Sequence, residues 1–259
     1  MTKKPEATIK SYFELFWREE DDLVYDDEKT LNPFTGYTQD FHANGQLWFE
    51  ENYKYGKRHG VIYRFHENGT PSSIENWEYG KPDGLWESYY ENGQLQFKGN
   101  YKNGKPEGLH QSFHDNGQLS FVGNFDKGFK DSLFEYYYEN GILRSKGIYK
   151  NGQREGLHES FYANGQLQFK GNYKNGKLEG LHEQFHKNGQ LANRQNYNNG
   201  QREGLHQSFH DNGQLRNKGN YNKNWEQDGL WEYDEKGNLT KTETYEEGEL
   251  IHDQETRNS

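Results

Sequence analysis

The chain has 259 residues, no cysteine and a formal net charge of -10, from 41 acidic and 31 basic residues. The length allows one large domain or two ordinary ones, and the absence of cysteine excludes disulfides and thiolate metal sites. The acidic balance disfavours proteins that bind duplex DNA or anionic lipid, because both need a cationic face. No apolar run follows Lys3 and Lys4, so we expect no secretory signal and a cytoplasmic protein.

The composition contains two opposing signals. The chain is poor in aliphatic residues, and a strongly charged chain of this kind is typical of disorder. It nevertheless carries 6 Trp, 20 Tyr and 16 Phe, and most of its 30 Gly are evenly spaced. Regular spacing of aromatic and glycine residues favours a folded repeat protein.

The repeat has a period of 24 residues. An Asn-Gly pair begins at each of these positions: Asn44, Asn68, Asn92, Asn116, Asn140, Asn164, Asn188 and Asn212, and Lys236-Gly237 ends the series. A second series of turn glycines runs from Gly56 through Gly104 and Gly176 at the same spacing. Residues 92–105 and 164–177 are identical, which indicates duplication within the array.

In chain order, we predict a polar tail at residues 1–11, an array of about ten repeats at 12–251 and a polar tail at 252–259. The first repeat, roughly residues 12–35, is degenerate, because Phe13, Trp17, Leu23 and Tyr25 lie one period before Tyr37, Phe41, Leu47 and Phe49. A helix from Ile9 to Trp17 is the alternative for this start.

Each repeat predicts two strands joined by a tight turn. Asn-Gly between two short β-prone runs is the strongest hairpin signal, since a type I′ turn needs positive φ at both central residues. A two-residue loop at Asn116-Gly117 would place Ser112 opposite Phe121 and His110 opposite Gly123. A similar loop at Asn103-Gly104 would place Gly99 opposite Gly108.

Bulky rings would then lie over glycines on one face of the sheet. We expect Trp86 opposite Gly99, Phe134 opposite Gly147, and His158 opposite Gly171. No helix or second sheet is left to cover either face. The predicted fold is therefore all-β, an elongated single-layer antiparallel meander of 24-residue hairpin repeats.

The units ENGQLQFKGNYKNGKPEGLH and YANGQLQFKGNYKNGKLEGLH resemble MORN repeats of the second, bacterial variant. The resemblance covers about residues 12–250. Chains of this variant resemble the YwqK-type antitoxin family of toxin–antitoxin pairs, which implies binding and neutralising a toxin. Eukaryotic MORN proteins imply the alternative of a structural scaffold or membrane-surface adaptor.

The histidine and serine columns do not predict catalysis or metal binding. His110 and His114 form an H-x-x-x-H pair, but four residues of a strand span about 13 Å, too far for one metal. Trp86 and Phe134 occupy the same column as His110, so the column indicates ring packing. Repeated serines on a flat face do not form one nucleophilic site. We predict no enzyme, no cofactor and no metal.

Two charged columns suggest partners or internal pairing. The acidic column includes Asp83, Glu107, Glu155 and Glu179, and it would suit a basic toxin or pair with nearby lysines. The basic column includes Lys98, Lys146 and Lys170. Cross-strand pairing accounts for it better than single-stranded nucleic acid does.

The unit between residues 121 and 138 departs from the repeat toward aromatic residues. Phe129 stands where Lys or Gln is usual, Ser132 replaces Gly, and Phe134 replaces His. We predict an apolar patch that binds a partner protein, formed by Val122, Phe129, Phe134, Tyr136 and Tyr138. Local repacking around Ser132 is the alternative.

Overall fold

A computed structural model describes residues 9–29, 31–235 and 238–255, and the chain divides into two compact units between Phe129 and Lys130. The strands of the first unit are β1 (Ile9–Ser11), β2 (Phe16–Arg18), β3 (Leu23–Tyr25), β4 (Gly36–Phe41), β5 (Leu47–Lys54), β6 (Lys57–Arg58), β7 (Gly60–Phe65), β8 (Pro71–Glu78), β9 (Lys81–Tyr89), β10 (Leu95–Lys102), β11 (Lys105–Phe113) and β12 (Leu119–Asp126).

The second unit contains β13 (Phe129–Tyr137), except its first residue, and ten further strands. They are β14 (Leu143–Lys150), β15 (Gln153–Phe161), β16 (Leu167–Lys174), β17 (Lys177–Phe185), β18 (Leu191–Asn198), β19 (Gln201–Phe209), β20 (Leu215–Tyr221), β21 (Gln227–Glu235), β22 (Asn238–Glu246) and β23 (Glu249–Glu255). From β7 to β12 in the first unit, and from β13 to β23 in the second, consecutive strands pair antiparallel as hairpins. The predicted all-β meander of hairpin repeats is confirmed.

The N-terminal segment forms strands, as the degenerate repeat predicts, but their pairing differs from that of the later repeats. β1 pairs parallel with β4, which departs from a purely antiparallel meander. One 3-10 turn follows at Tyr12–Glu14, and β2 then pairs with β3 as a separate hairpin. No α-helix occurs between residues 9 and 17, because the described segment alternates strand, turn and strand.

The structure also places strands in both segments that the sequence predicts to be tails. β1 lies within residues 1–11, of which residues 1–8 are outside the described residues. β23 continues to Glu255, within 252–259, and residues 256–259 are outside the described residues. The predicted Lys236-Gly237 turn is outside them too. The division into an array and two tails stays a prediction.

One of the two turn series has the predicted type I′ geometry. Asn103 and Gly104 have φ of 49° and 81°, and the flanking pairs are Lys102 with Lys105 and Tyr101 with Pro106. The preference of Asn and Gly for positive φ therefore sets the register at these two-residue loops.

The other turn series is longer than predicted, so the expected type I′ turn at Asn116-Gly117 is wrong. Only Gly117 has positive φ, and the His114 N–H donates to the carbonyl oxygen of Gln118 at 2.8 Å. Asn116 instead uses its side chain, whose Oδ1 accepts the Gln118 N–H at 2.9 Å. Ser112 still faces Phe121, because the register shifts only beyond that pair.

The rings lie over glycines as predicted on the face that we call the ring face, which carries Phe134, Gly147, His158 and Gly171. Trp86 faces Gly99, Phe134 faces Gly147 and His158 faces Gly171, as expected.

The predicted pairing of Gly99 with Gly108 is wrong. The register shifts between Lys98 and Asn100, and the ring of His110 comes over Gly99 instead. A Cβ on Gly99 would stand 2.7 Å from His110 Cε1. Gly108 has φ of 72°, so it accommodates the bulge that carries this shift.

Part of the core follows this column of rings. Phe134, His110, His158, His182 and Trp231 are buried. Where a glycine lies under a ring, as at Gly99, Gly147, Gly171 and Gly219, a Cβ would stand 2.7 Å or less from a ring atom. This part of the core is therefore a line of ring–glycine contacts.

Charged networks replace the ring–glycine contacts early in the first unit. Glu51 and Glu75 occupy the glycine column and are 1% and 4% exposed. Arg58 donates to Glu51 at 3.0 Å, and Arg64 bonds both Glu51 and Glu75. Burial and the nearby Glu51 raise the pKa of Tyr53, whose hydroxyl donates to that carboxylate at 2.6 Å. Each buried carboxylate thus has several donors, as burial of a charge requires.

Candidate functional site

The candidate site lies on the ring face of β13–β16, within the second unit. In neighbouring repeats a phenylalanine packs on the next histidine: Phe97 is 5.4 Å from His110, and Phe169 is 5.4 Å from His182, measured between ring centroids. Ser145 holds the equivalent position beside His158 and supplies no ring. The missing ring leaves a concave surface at this repeat.

The resulting concavity, which we call the β13–β16 cleft, has a volume of about 490 Å³. This is within the roughly 300–1,000 Å³ typical of ligand pockets. Its lining includes Lys130, Tyr136, Arg144, Ser145, Arg154 and Tyr173. All of these side chains project from paired strands, so the backbone that carries them is rigid.

Lys130 is held by three aromatic rings on one side of the cleft. Its Nζ lies 4.9 Å from the ring centroids of Phe134 and Tyr149 and 5.4 Å from that of Tyr136. It also donates to the Tyr136 hydroxyl at 2.7 Å. Cation–π contacts orient the ammonium group without neutralising it.

Two arginines are held in the same way. The Arg144 guanidinium lies 5.6 Å from the ring centroid of Tyr136. The Arg154 guanidinium lies 5.0 Å from that of Tyr173 and donates to its hydroxyl at 3.0 Å. Tyr136 therefore contacts both Lys130 and Arg144. The aromatic residues that line the cleft also hold its basic side chains in place.

His158 forms the floor of the cleft and is a structural residue. Burial lowers its pKa, and the charge of Arg154 lowers that pKa further. Its Nε2 lies 2.8 Å from the carbonyl oxygen of Ile148. A carbonyl oxygen only accepts, so Nε2 carries the proton and donates. The neutral ring packs against Tyr149 and Tyr173.

The five residues of the predicted binding patch do not form one surface within a unit. Phe134 is fully buried and Tyr136 is half-buried, and both line the cleft. Tyr138 is a turn residue whose hydroxyl donates to the carbonyl oxygen of Phe161 at 2.8 Å. Val122, on β12, and Phe129, which is 57% exposed, belong to the first unit.

Lys130, Arg144 and Ser145 were not predicted as site residues from the sequence. The available signal was the comparison of equivalent positions one period apart. Arg144 stands where Gln96 and Gln168 stand, and Ser145 stands where Phe97 and Phe169 stand. The distinguishing feature of this repeat is thus the loss of an aromatic residue at Ser145 as well as the gain of others at Phe134 and Tyr136.

The acidic column has a structural role in turns. Carboxylates of Asp83, Glu107, Glu155 and Glu179 each accept the backbone N–H of the first residue of the neighbouring type I′ turn, at 2.8–3.0 Å. The basic column pairs across strands, as expected: Lys98 with Glu87 at 2.8 Å and Lys170 with Glu183 at 2.8 Å. Both columns are therefore largely used within the fold.

Other features of the described residues add no chemical centre. Among them, no group of three or more His, Asp or Glu side chains is arranged to hold a metal ion. Within the same residues, no helix has the length and apolar character needed to cross a membrane.

The first unit has a concavity of its own, of about 390 Å³, where Trp17 and Tyr79 lie near Arg58. Arg58 is already paired with Glu51 there. The charge of this guanidinium is therefore used within the fold, in contrast to the arginines of the β13–β16 cleft.

Comparison with known families finds one match. The model of the MORN repeat variant matches residues 34–55, 82–103, 106–127, 130–151, 154–175, 178–199 and 202–223. These seven segments cover more than half of the chain. Comparison with curated proteins finds no significant match.

Proposed function

Because the chain belongs to the MORN repeat variant family, we propose that it is a non-enzymatic module that binds a partner protein in the β13–β16 cleft. The family is a non-catalytic repeat family whose members bind proteins or membranes. The antitoxin or immunity-type role that the resemblance implies is the form of this function that we propose.

The observation that carries the proposal is the exchange of a phenylalanine for Ser145, which opens the cleft. Tyrosine and arginine are the residues most enriched at the energetic centres of protein interfaces, and Tyr136, Arg144 and Arg154 meet around this opening. Rigid strands hold them, so little conformational entropy is lost when a partner binds.

The proposal is tested by filling the cleft with a larger side chain. Ser145→Phe restores the ring that the neighbouring repeats carry, and we expect it to abolish capture of a stoichiometric partner from host lysate, read by mass spectrometry. Asn193→Phe is the matched control, because Asn193 holds the equivalent position two repeats later, outside the cleft. It should capture the partner as the parent chain does.

The antitoxin role is tested with the captured partner. Expression of the partner alone should arrest growth, co-expression of the parent chain should restore growth, and the Ser145→Phe chain should not restore it. Undiminished capture by the Ser145→Phe chain, with unchanged circular dichroism, would contradict the cleft as the binding site.

A further inference from the structure

The β13–β16 cleft is cationic in a chain that is acidic overall. Four basic residues line it, Lys130, Arg144, Lys146 and Arg154, against the single acidic residue Glu159. Glu159 is already paired with Lys146 at 3.0 Å. The local charge is thus opposite in sign to the net charge of -10.

Among the described residues, the other three cations have no carboxylate partner. In the part of the chain that the structure describes, no ion pair involves Lys130, Arg144 or Arg154. Each is held by aromatic rings instead, at the distances given above. An incoming anion would therefore break no existing ion pair and would find guanidinium groups already oriented.

Two adjacent substitutions create the charge and the space together. Arg144 adds a guanidinium where two other repeats carry Gln96 and Gln168, and Ser145 removes a ring at the next residue. Arginine presents a planar fork of donors that matches a carboxylate. Tyr136, Phe169 and Tyr173 add aromatic walls suited to the apolar part of a side chain.

The net charge of the chain restricts the kind of anion that can bind in the cleft. A nucleic acid or an anionic membrane extends well beyond the cleft and would meet the acidic remainder of the surface. A short segment responds mainly to charges within a Debye length, about 8 Å at physiological ionic strength. The cleft therefore fits a compact acidic group better than an extended polyanion.

We propose that the β13–β16 cleft binds a short acidic peptide segment of the partner, whose carboxylates pair with Arg144 and Arg154. This inference rests on the proposed function and names the chemistry of its partner. The partner thus contributes acidic groups at this cleft, in contrast to the basic toxin expected from the acidic column. The carboxylates belong to Glu or Asp side chains or to a chain terminus.

The test uses synthetic peptides and the full chain. One peptide carries three glutamates around a tyrosine with an amidated C-terminus, the second carries glutamine at each of those positions, and the third combines the glutamines with a free C-terminal carboxylate. Binding is followed by NMR of the ¹⁵N-labelled chain. We expect the Glu peptide to bind with a Kd below about 1 mM and shift the amide signals of Ser145 and Gly147.

Arg144→Gln and Arg154→Gln should each weaken this binding about tenfold, since each removes a charged hydrogen-bonding partner. Arg216→Gln and Arg202→Gln are the matched controls. Arg216 is equivalent to Arg144 in a later repeat, and Arg202, like Arg154, donates to a tyrosine hydroxyl at 3.0 Å. Both control variants should bind as the parent chain does.

If only the third peptide binds, the cleft recognises a terminal carboxylate. If the Glu peptide binds, the cleft recognises carboxylate side chains. Equal binding of the Glu peptide and the amide-capped Gln peptide, or equal losses in cleft and control variants, would overturn the inference. So would binding to phosphatidylserine vesicles without binding to any peptide.

If Ser145→Phe abolishes partner capture while Arg144→Gln and Arg154→Gln leave it intact, the carboxylate inference fails and the proposed function stands. If Ser145→Phe leaves partner capture intact while the Glu peptide still binds the cleft, the proposed function fails at this site.

Discussion

At the scale of single residues, the ring face shows why one position accepts His, Phe or Trp while its neighbour is glycine. Each ring fills the volume that a side chain on the glycine would need: a Cβ on Gly171 would stand 2.6 Å from His182 Cε1. His182 is 5% exposed and packs against Phe169 and Tyr197. These positions are therefore occupied by flat rings, and whether the ring is polar or apolar matters less.

The buried histidines should make stability depend on pH. Burial lowers the pKa of His182 below its ordinary value of 6.5, so the unfolded chain binds more protons between the two pKa values. Its contribution to stability is complete above pH 6.5 and is lost as the pH falls from there toward the lower, folded pKa. We expect a lower urea midpoint at pH 5.5 than at pH 7.5.

His182→Phe should make this pH dependence shallower, because phenylalanine does not titrate and Phe134 fills the same column. Asn172→Ala, which alters an exposed side chain on the paired strand, should keep the parent slope. An unchanged slope in His182→Phe would mean that the proton uptake occurs elsewhere.

At the scale of secondary-structure elements, the two Asn-Gly turn series look alike in sequence and work differently. Asn175 adopts φ of 50° in a type I′ turn. Asn164 uses its side chain: Oδ1 accepts the Gln166 N–H at 3.1 Å, and Nδ2 donates to the carbonyl oxygen of Lys187 at 3.0 Å. The second hydrogen bond joins the turn to the equivalent turn of the next repeat.

The two asparagines should therefore respond differently to glycine. Asn175→Gly should change the free energy of unfolding by less than about 0.5 kcal/mol, since glycine adopts positive φ readily. Asn164→Gly should lower it by about 1–2 kcal/mol, because two hydrogen bonds are lost. Urea unfolding measures both, and equal losses would contradict the assigned roles.

Much of the meander was predictable from these elements. Ring-over-glycine pairing at Gly147 followed from period-two alternation, and it holds although the turn at Asn140 is longer than predicted, because the register shifts only between Tyr136 and Tyr137. The bulge at Gly108 did not, because a glycine fits both a flat pair and a bulge. The turn at Asn116 was missed because asparagine favours turns through its backbone and through its side chain alike.

The cleft was only partly predictable. Tyr136 stood out as a gained aromatic residue, whereas Ser145 is an ordinary polar residue unless its column is compared across repeats. The assignment of Phe134 to a binding surface could not anticipate that Gly147 lets this ring become fully buried.

At the scale of the whole molecule, the second unit is a series of local contacts. Its strands pair with their sequence neighbours, and the side-chain hydrogen bonds of its turns reach one repeat further. Stability of such an array is close to a sum over repeats and their interfaces. Internal repeats should therefore be removable in whole periods.

Deletion of residues 188–211, one full period, should leave a cooperatively folded chain with the strand signal of circular dichroism and a smaller urea m-value. It joins β17 to β20 with the turn sequence preserved. Deletion of residues 188–199 removes a single strand and reverses the direction of every later one, so it should abolish cooperative unfolding of the second unit. Equal behaviour of the two deletions would contradict local assembly.

The adjacency of Arg144 and Ser145 has a consequence for heredity. Residues 140–153 differ at five positions from residues 92–105 and 164–177, which are identical to each other, and Arg144 and Ser145 are adjacent among the five. Gene conversion from either copy would erase the cleft in a single event and leave the fold intact. Related chains can therefore lose this binding specificity without passing through an unfolded intermediate.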